Sequence, residues 1–264
     1  MSTPPRKAPV FFISHGAPTF ALEPGVLGPQ LGALGQQLAD VQAIVVVSPH
    51  WQTQGVKVMT TAAPETIHDF GGFPLALYDL RYAAAGHPEL AAEVGALLGQ
   101  AGINVGLDAR RGLDHGAWVP LWHLLPDANI PVFQVSMPHR MDTRGALQLG
   151  QALGAMRARG VAVLASGSMT HNLYEIEHPD APAQDYAEAF AHWVRQAVVT
   201  NDVDSLVNYR SLAPQAQRAH PTEEHFLPLL VAMGARTDSD ALQVIQGDIT
   251  HGVLSMESYA WGLA

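Results

Sequence analysis

The chain has no cysteine among its 264 residues. Disulfides and thiolate metal sites are therefore excluded, and any metal must be held by nitrogen and oxygen. Charge is scarce too, at 14% of residues against 48% hydrophobic. So little polar surface suits one compact body, and a single core can grow to roughly 250–300 residues. One domain over residues 1–264 is the expectation. Cations are outnumbered, 14 against 24 acidic groups, for a formal net charge of −10. That sign repels phosphate backbones and no Lys/Arg run follows Arg6-Lys7, so nucleic acid is not expected as a partner. No stretch approaches the ~18 apolar residues of a membrane span. The first seven residues are mildly basic, but the apolar run after them is too short for a signal-peptide core. The sequence reads as cytoplasmic, with no membrane partner.

Histidine is the residue in excess. Thirteen are present, roughly twice the share of an average chain. Imidazole titrates near neutrality and is costly to bury unpaired, so the excess points to metal or proton chemistry. The histidines are dispersed, which rules out a tag.

Four apolar, β-branched runs, at 9–13, 43–47, 131–135 and 161–165, lack polar alternation and read as strands covered on both faces. Helical patterns lie between them at 88–100, 143–159, 183–199 and 222–233. Pro88 suits a first helical turn, Gly160 a helix end, and Thr222 a cap. Strands alternating with helices predict an α/β fold: a single domain with a largely parallel or mixed central sheet and helices on both faces. The stretch 52–82 is rich in Gly, Pro and Thr and too long for an idle loop, so it is expected to cover a site.

His15, His50, His139 and His171 each follow one of the four strand runs. In open α/β sheets ligands bind beyond the carboxyl ends of strands. Parallel strands would therefore bring these histidines to one edge, with a metal site there. Taken singly, a strand-end histidine is more often a loop residue bonded to backbone. His15 and His50 together read as metal ligands; His139 stays ambiguous. His115 sits in Asp114-His115-Gly116, where glycine permits close backbone approach. His225 is expected on the first turn of the fourth helix, whose positive end would keep it neutral. His220 is open between a ligand and a neighbour of His225. His87 reads as a helix-start residue, and His123, His178, His192 and His251 as surface or packing residues. No phosphate-binding loop or dinucleotide motif is present. The run Ser166-Gly167-Ser168-Met169-Thr170 lacks the frame of a nucleophile elbow. Glu223-Glu224 reads as ordinary helix-dipole partners.

Six segments together resemble one family. They are Ser14-His15-Gly16, Ser48-Pro49-His50-Trp51, the run from Thr66 to Pro74, Leu113-Asp114-His115-Gly116, Thr170-His171-Asn172 and the run from Pro221 to Pro228. In this order they are similar to the 4,5-DOPA extradiol dioxygenases. These belong to the class III, protocatechuate-4,5-dioxygenase catalytic-subunit-like, extradiol enzymes. The resemblance implies metal ligands at His15, His50 and His225, with His171 close to the metal and sometimes a fourth ligand. It implies an acid–base role for His115. The wider class often uses two histidines and a carboxylate, so Glu224 competes with His225 as third ligand. It further implies Fe(II) for turnover, with Zn(II) as an alternative occupant, and a small aromatic diol and O2 as substrates.

The chemistry suits these residues. Three neutral imidazoles on one side of a ferrous ion leave positions for a catechol and O2. Proton transfer needs groups with pKa near neutrality, for which His115 and His171 are the right type. Phe70, Phe73 and Trp51 are candidates to exclude water and stack on the ring, and His68 or Asp69 to orient a polar substituent. Two rival readings follow from the same residues: a zinc-dependent hydrolase and a non-catalytic metal-binding relative. The identity of the catechol is open, as is a homo-oligomer.

Overall fold

A computed structural model describes residues 7–263; Arg6 and the residues before it lie outside them, and Lys7 is the first described. In chain order the strands are β1 (Val10–Ser14), β2 (Ala43–Thr53), β3 (Val56–Met59), β4 (Val105–Asp108) and β5 (Val132–Pro138). They continue with β6 (Val161–Gly167), β7 (Leu242–Ile245), β8 (Ile249–Thr250), β9 (Leu254–Ser255) and β10 (Ser258–Trp261). Eight of them form one sheet in the order β4-β3-β5-β2-β6-β1-β10-β7, and β8-β9 form a separate hairpin.

The four apolar runs are the four middle strands, β5-β2-β6-β1, all mutually parallel. Every residue of β1 and β6 is buried. Burying a Val, Ile or Phe side chain contributes about 1.5–3 kcal/mol, which is why these runs take the middle and not an edge. The flanks are mixed: β3 is antiparallel to β5, and β10 to both β1 and β7. Helices cover the sheet. Pro88–Gln100, Thr143–Gly154 and Leu227–Ala235 pack together, whereas Leu27–Gly35 packs with His115–Leu124 on β2. Among the described residues, no helix is long and apolar enough to cross a membrane.

Local chemistry sets the helix ends. Pro88 opens its helix, and the His87 ring accepts from the Leu90 amide at 3.3 Å. Asp142 caps the helix Thr143–Gly154, which tightens into a 3-10 turn over Ala155–Arg159 and stops at Gly160. The third helix runs Asp185–Val199, two residues shorter than expected at its start.

Two expectations need correction. The helix foreseen from Thr222 begins at Leu227, with Pro228 in its first turn. Thr222 does not cap it: its hydroxyl donates to Glu224 Oε1 at 2.9 Å. His225 thus precedes the helix and owes its state to its surroundings, not to a helix end. The stretch 52–82 is also less irregular than expected. It contains β3, which pairs with β4 and β5, and a one-turn helix at Ala76–Asp79.

Candidate metal centre

His15 is the first residue past β1. Its amide donates to the Gly167 carbonyl at 2.9 Å, extending the β1–β6 ladder by one bond. Its Nδ1 is 2.8 Å from Ser166 Oγ on the same neighbouring strand. Strand pairing therefore fixes both the backbone and the ring. Gly16 then turns the chain at φ +60, where a Cβ would meet Met256 Sδ at 2.6 Å.

His50 lies within β2, not after it. The ladder to β5 is regular to Val47↔Val135 and resumes at Gln52↔Met137. Ser48, Pro49, His50 and Trp51 together face only Ser136, so the strand bulges, a device that re-aims side chains beside active sites. Ser48 Oγ holds the bulge by donating to Asp114 Oδ1 at 2.7 Å and accepting from the His50 amide at 3.2 Å. Arg111 donates to Asp114 Oδ2 at 2.8 Å. Gly116 is needed here, because a Cβ would overlap Ser48 Oγ and come within 2.8 Å of His50 Cδ2.

His225 reaches the same point from the other side of β6. Its carbonyl accepts from the Ser168 amide at 2.9 Å, and its Nδ1–H donates to Glu224 Oε1 at 3.0 Å. A carboxylate only accepts, so His225 Nε2 carries a bare lone pair. His171 stacks on that ring, centroids 3.5 Å apart and planes within 7°.

His15 Nε2 and His50 Nε2 are 3.1 Å apart, and His50 Nε2 and His225 Nε2 are 3.4 Å apart. Two imidazole nitrogens about 2.1 Å from one ion, at about 90–110° to each other, lie about 3.0–3.4 Å apart. The donor set thus fits a single divalent cation. Among the described residues, two adjoining groups of side chains could hold an ion: His15, His50 and His115, and His171, Glu224 and His225. Burial, reinforced by neighbouring imidazoles, holds His15 and His225 well below the ordinary histidine range. Burial also pushes His50 down to about 3, partly offset by the Asp69 carboxylate and less by Glu224, and His171 to about 4, partly offset by Glu224. All four are neutral at pH 7, the form that donates to metal.

His115 begins the helix His115–Leu124 and its ring is 3.9 Å from that of His50. Asp69 faces it. Asp69 Oδ1 accepts from the His115 amide at 2.8 Å, and Oδ2 lies 3.1 Å from His115 Nδ1 and 3.8 Å from His50 Nδ1. The 3.1 Å contact is off the line of a straight hydrogen bond. Burial alone would raise the Asp69 carboxyl, but the His115 ring and amide, with His50 nearby, bring it down to about 2.

The other sequence candidates divide. Phe70 stands edge-on to His115 at 5.6 Å, with Phe73 behind it at 5.5 Å. Trp51 is buried beneath the Arg111 guanidinium, 5.2 Å from its ring centroid. His68 packs against Tyr78 and Trp118, and its Nε2 bonds the Leu80 carbonyl at 3.1 Å. His139 is exposed in a turn after β5. His220 is a neighbour and not a ligand: its Nε2 donates to the Met169 carbonyl at 3.0 Å, amid Phe190, Tyr209 and Phe226. Sequence reasoning named Ser48 and Ser166 only within motifs, without these roles, and did not name Arg111. Each acts through strand register or a loop crossing that one-dimensional spacing does not carry.

Residues 29–259 match the family described as the catalytic LigB subunit of aromatic ring-opening dioxygenase. The chain is 38% identical to a 4,5-DOPA dioxygenase extradiol of Beta vulgaris, over 94% of each protein. It is equally 38% identical to a protein of that name from Escherichia coli K12, over 97% of this chain and 95% of the relative. The crystal structure of an uncharacterized Escherichia coli K12 protein superposes with a TM-score of 0.80 at 33% identity, covering 96% of this chain and 99% of that one. The chain belongs to the LigB family of aromatic ring-opening dioxygenases, the class III extradiol enzymes.

Proposed function

We propose that the protein is a non-haem Fe(II)-dependent extradiol dioxygenase that opens a catechol-type ring with O2. One observation carries this reading: the Nε2 atoms of His15, His50 and His225 converge at 3.1 and 3.4 Å as neutral donors. An all-imidazole set suits Fe(II) and Zn(II) alike. Turnover is assigned to iron because the reaction consumes O2, and zinc is a competing occupant. When bound, the ion supplies Lewis acidity toward a catechol and a place where it meets dioxygen.

The chain's own residues supply the rest. His15 is held by Ser166, and His225 by Glu224, so both rings present Nε2 inward. Glu224 orients His225 and is not assigned as the third ligand. His115 and His171 take up the catechol proton and return one during ring opening. Phe70 closes the site above His115 and offers an aromatic edge to the substrate ring. His68 and Trp51 are not assigned as substrate contacts, because the Leu80 carbonyl holds the first ring and the Arg111 guanidinium covers the second. We further propose a cytoplasmic enzyme of aromatic-compound catabolism, acting as a single domain over residues 1–264.

An aerobic assay of the Fe(II)-reconstituted chain against a catechol panel tests the reading. A coloured muconic semialdehyde should appear with matching O2 uptake, and should stop under anaerobic conditions. Hydrolysis that continues without O2, or metal binding with no turnover on any catechol, would contradict it. The zinc-loaded chain should bind its metal and give no coloured product.

A further inference from the structure

We propose that Asp69 is a positioning residue that makes the covering loop and the acid–base histidine a single unit. The proposal rests on His115 being a proton carrier, as assigned above.

The helix His115–Leu124 does not cap itself. Its N-cap residue, Asp114, makes no side-chain cap bond, because its carboxylate is committed to Ser48 and Arg111. The first helical amide is instead satisfied by Asp69 Oδ1 at 2.8 Å, from 46 positions earlier in the chain. The other oxygen, Oδ2, is 3.1 Å from His115 Nδ1. That nitrogen is buried and makes no straight hydrogen bond to any described residue, which leaves Asp69 as its acceptor within reach.

The loop arrives at this position by construction. The Leu113 amide donates to the Glu65 carbonyl and the Ile67 amide to the Leu113 carbonyl, both at 2.8 Å. Trp118 Nε1 donates to the Ile67 carbonyl at 3.0 Å. The strand-like segment 65–67 is thereby tied to both sides of His115, and Asp69 follows two residues later. Phe70 then contacts the same imidazole edge-on. One dipeptide bonds the His115 amide, sets a carboxylate oxygen beside its ring nitrogen and meets its ring edge.

The chemical consequence concerns the tautomer. A carboxylate beside Nδ1 favours the proton there, which leaves Nε2 as the lone-pair nitrogen. A histidine with the other tautomer would be correctly placed and chemically wrong, a fault that costs orders of magnitude in dyads of this kind. Since both Asp69 oxygens are engaged with His115, the residue orients the proton carrier and not a substrate substituent.

The test compares Asp69→Asn, His115→Ala and the double variant in the full-length Fe(II)-loaded chain, with steady-state kinetics on a turned-over catechol. The Asn oxygen still accepts from the His115 amide, so fold and metal content should be retained. We expect kcat to fall ~100-fold with KM within about twofold, and no further loss when Asp69→Asn is added to His115→Ala. In the metal-free protein, imidazole 15N NMR should report the Nδ1–H tautomer of His115, and Asp69→Asn should remove that preference. Near-normal kcat in Asp69→Asn would overturn the proposal. So would an effect confined to KM, an additive loss in the double variant, or an unchanged tautomer. Should His115→Ala alone keep its kcat, the acid–base assignment falls instead, and the NMR arm still decides whether Asp69 sets the tautomer.

Discussion

At the amino ends of β1 and β6, Arg157 is fully buried and completely answered. Its Nε donates to the Ala8 carbonyl at 2.6 Å, Nη1 to the Ala235 carbonyl at 3.1 Å, and the Asp240 carboxylate takes both Nη1 and Nη2 at 2.6 and 3.0 Å. At the carboxyl ends of the same strands lie five imidazoles, of His15, His50, His115, His171 and His225, and their polar atoms answer each other poorly. Nε2 atoms face Nε2 atoms, and Asp69 is the carboxylate beside His115 and His50. Both clusters are polar and at least partly buried, yet one is electrostatically closed and the other converges on a point. A closed cluster has no free donor for a ligand; a converging one has donors that could hold a cation. The difference contrasts a structural arrangement with a candidate site on one set of strands.

The largest effect should come from His15→Ala or His50→Ala, which remove a converging nitrogen. Metal content by elemental analysis and O2 uptake should both drop to background, while the far-ultraviolet circular dichroism stays that of the parent. Full metal content in either variant would break the contrast. At the opposite end, Asp240→Ala leaves a buried guanidinium unpaired. Breaking such a pair costs about 3–5 kcal/mol, read by urea denaturation, with metal affinity and kcat unchanged. Its pH sign also follows. Burial opposes ionisation of Asp240, but Arg157 and the Thr237 amide hold its pKa below the ordinary value. Its contribution is therefore present above the unfolded carboxylate pKa and is lost as pH falls through the folded one. Asp240→Ala should accordingly flatten the acid limb of the stability curve. A smaller effect should follow Glu224→Gln, which weakens the hold on His225 Nδ1 without removing a ligand. Loss of such an outer partner typically costs ~10–100-fold in metal affinity, measurable by competition with a chelator.

Much of the fold was legible because the strong signals are local. Four β-branched, mostly apolar runs without polar alternation read as the middle of a sheet, and the histidines trailing β1 and β6 emerge at its carboxyl edge. What escaped depends on pairing. The bulge that aims His50 exists only relative to β5, so no feature of 48–51 alone announces it. The antiparallel flank of β7 and β10 consists of two four-residue strands, too short for a period-two pattern to stand out. The segment 222–228 carried two competing start signals, an acidic first turn after Thr222 and a proline at 228. The proline decided the boundary, since its fixed φ suits a first turn. Trp51 and His68 were candidates as an aromatic cover and as a polar motif residue; what sequence did not carry is that the Arg111 guanidinium covers the first and the Leu80 carbonyl binds the second.

Metal-edge X-ray absorption of the Fe(II)-loaded chain tests the central claim most directly. The account predicts at least three imidazole scatterers at about 2.0–2.2 Å, with one lost in His225→Ala and none lost in Asp240→Ala. A spectrum without imidazole scattering, or one that His225→Ala leaves unchanged, would contradict it.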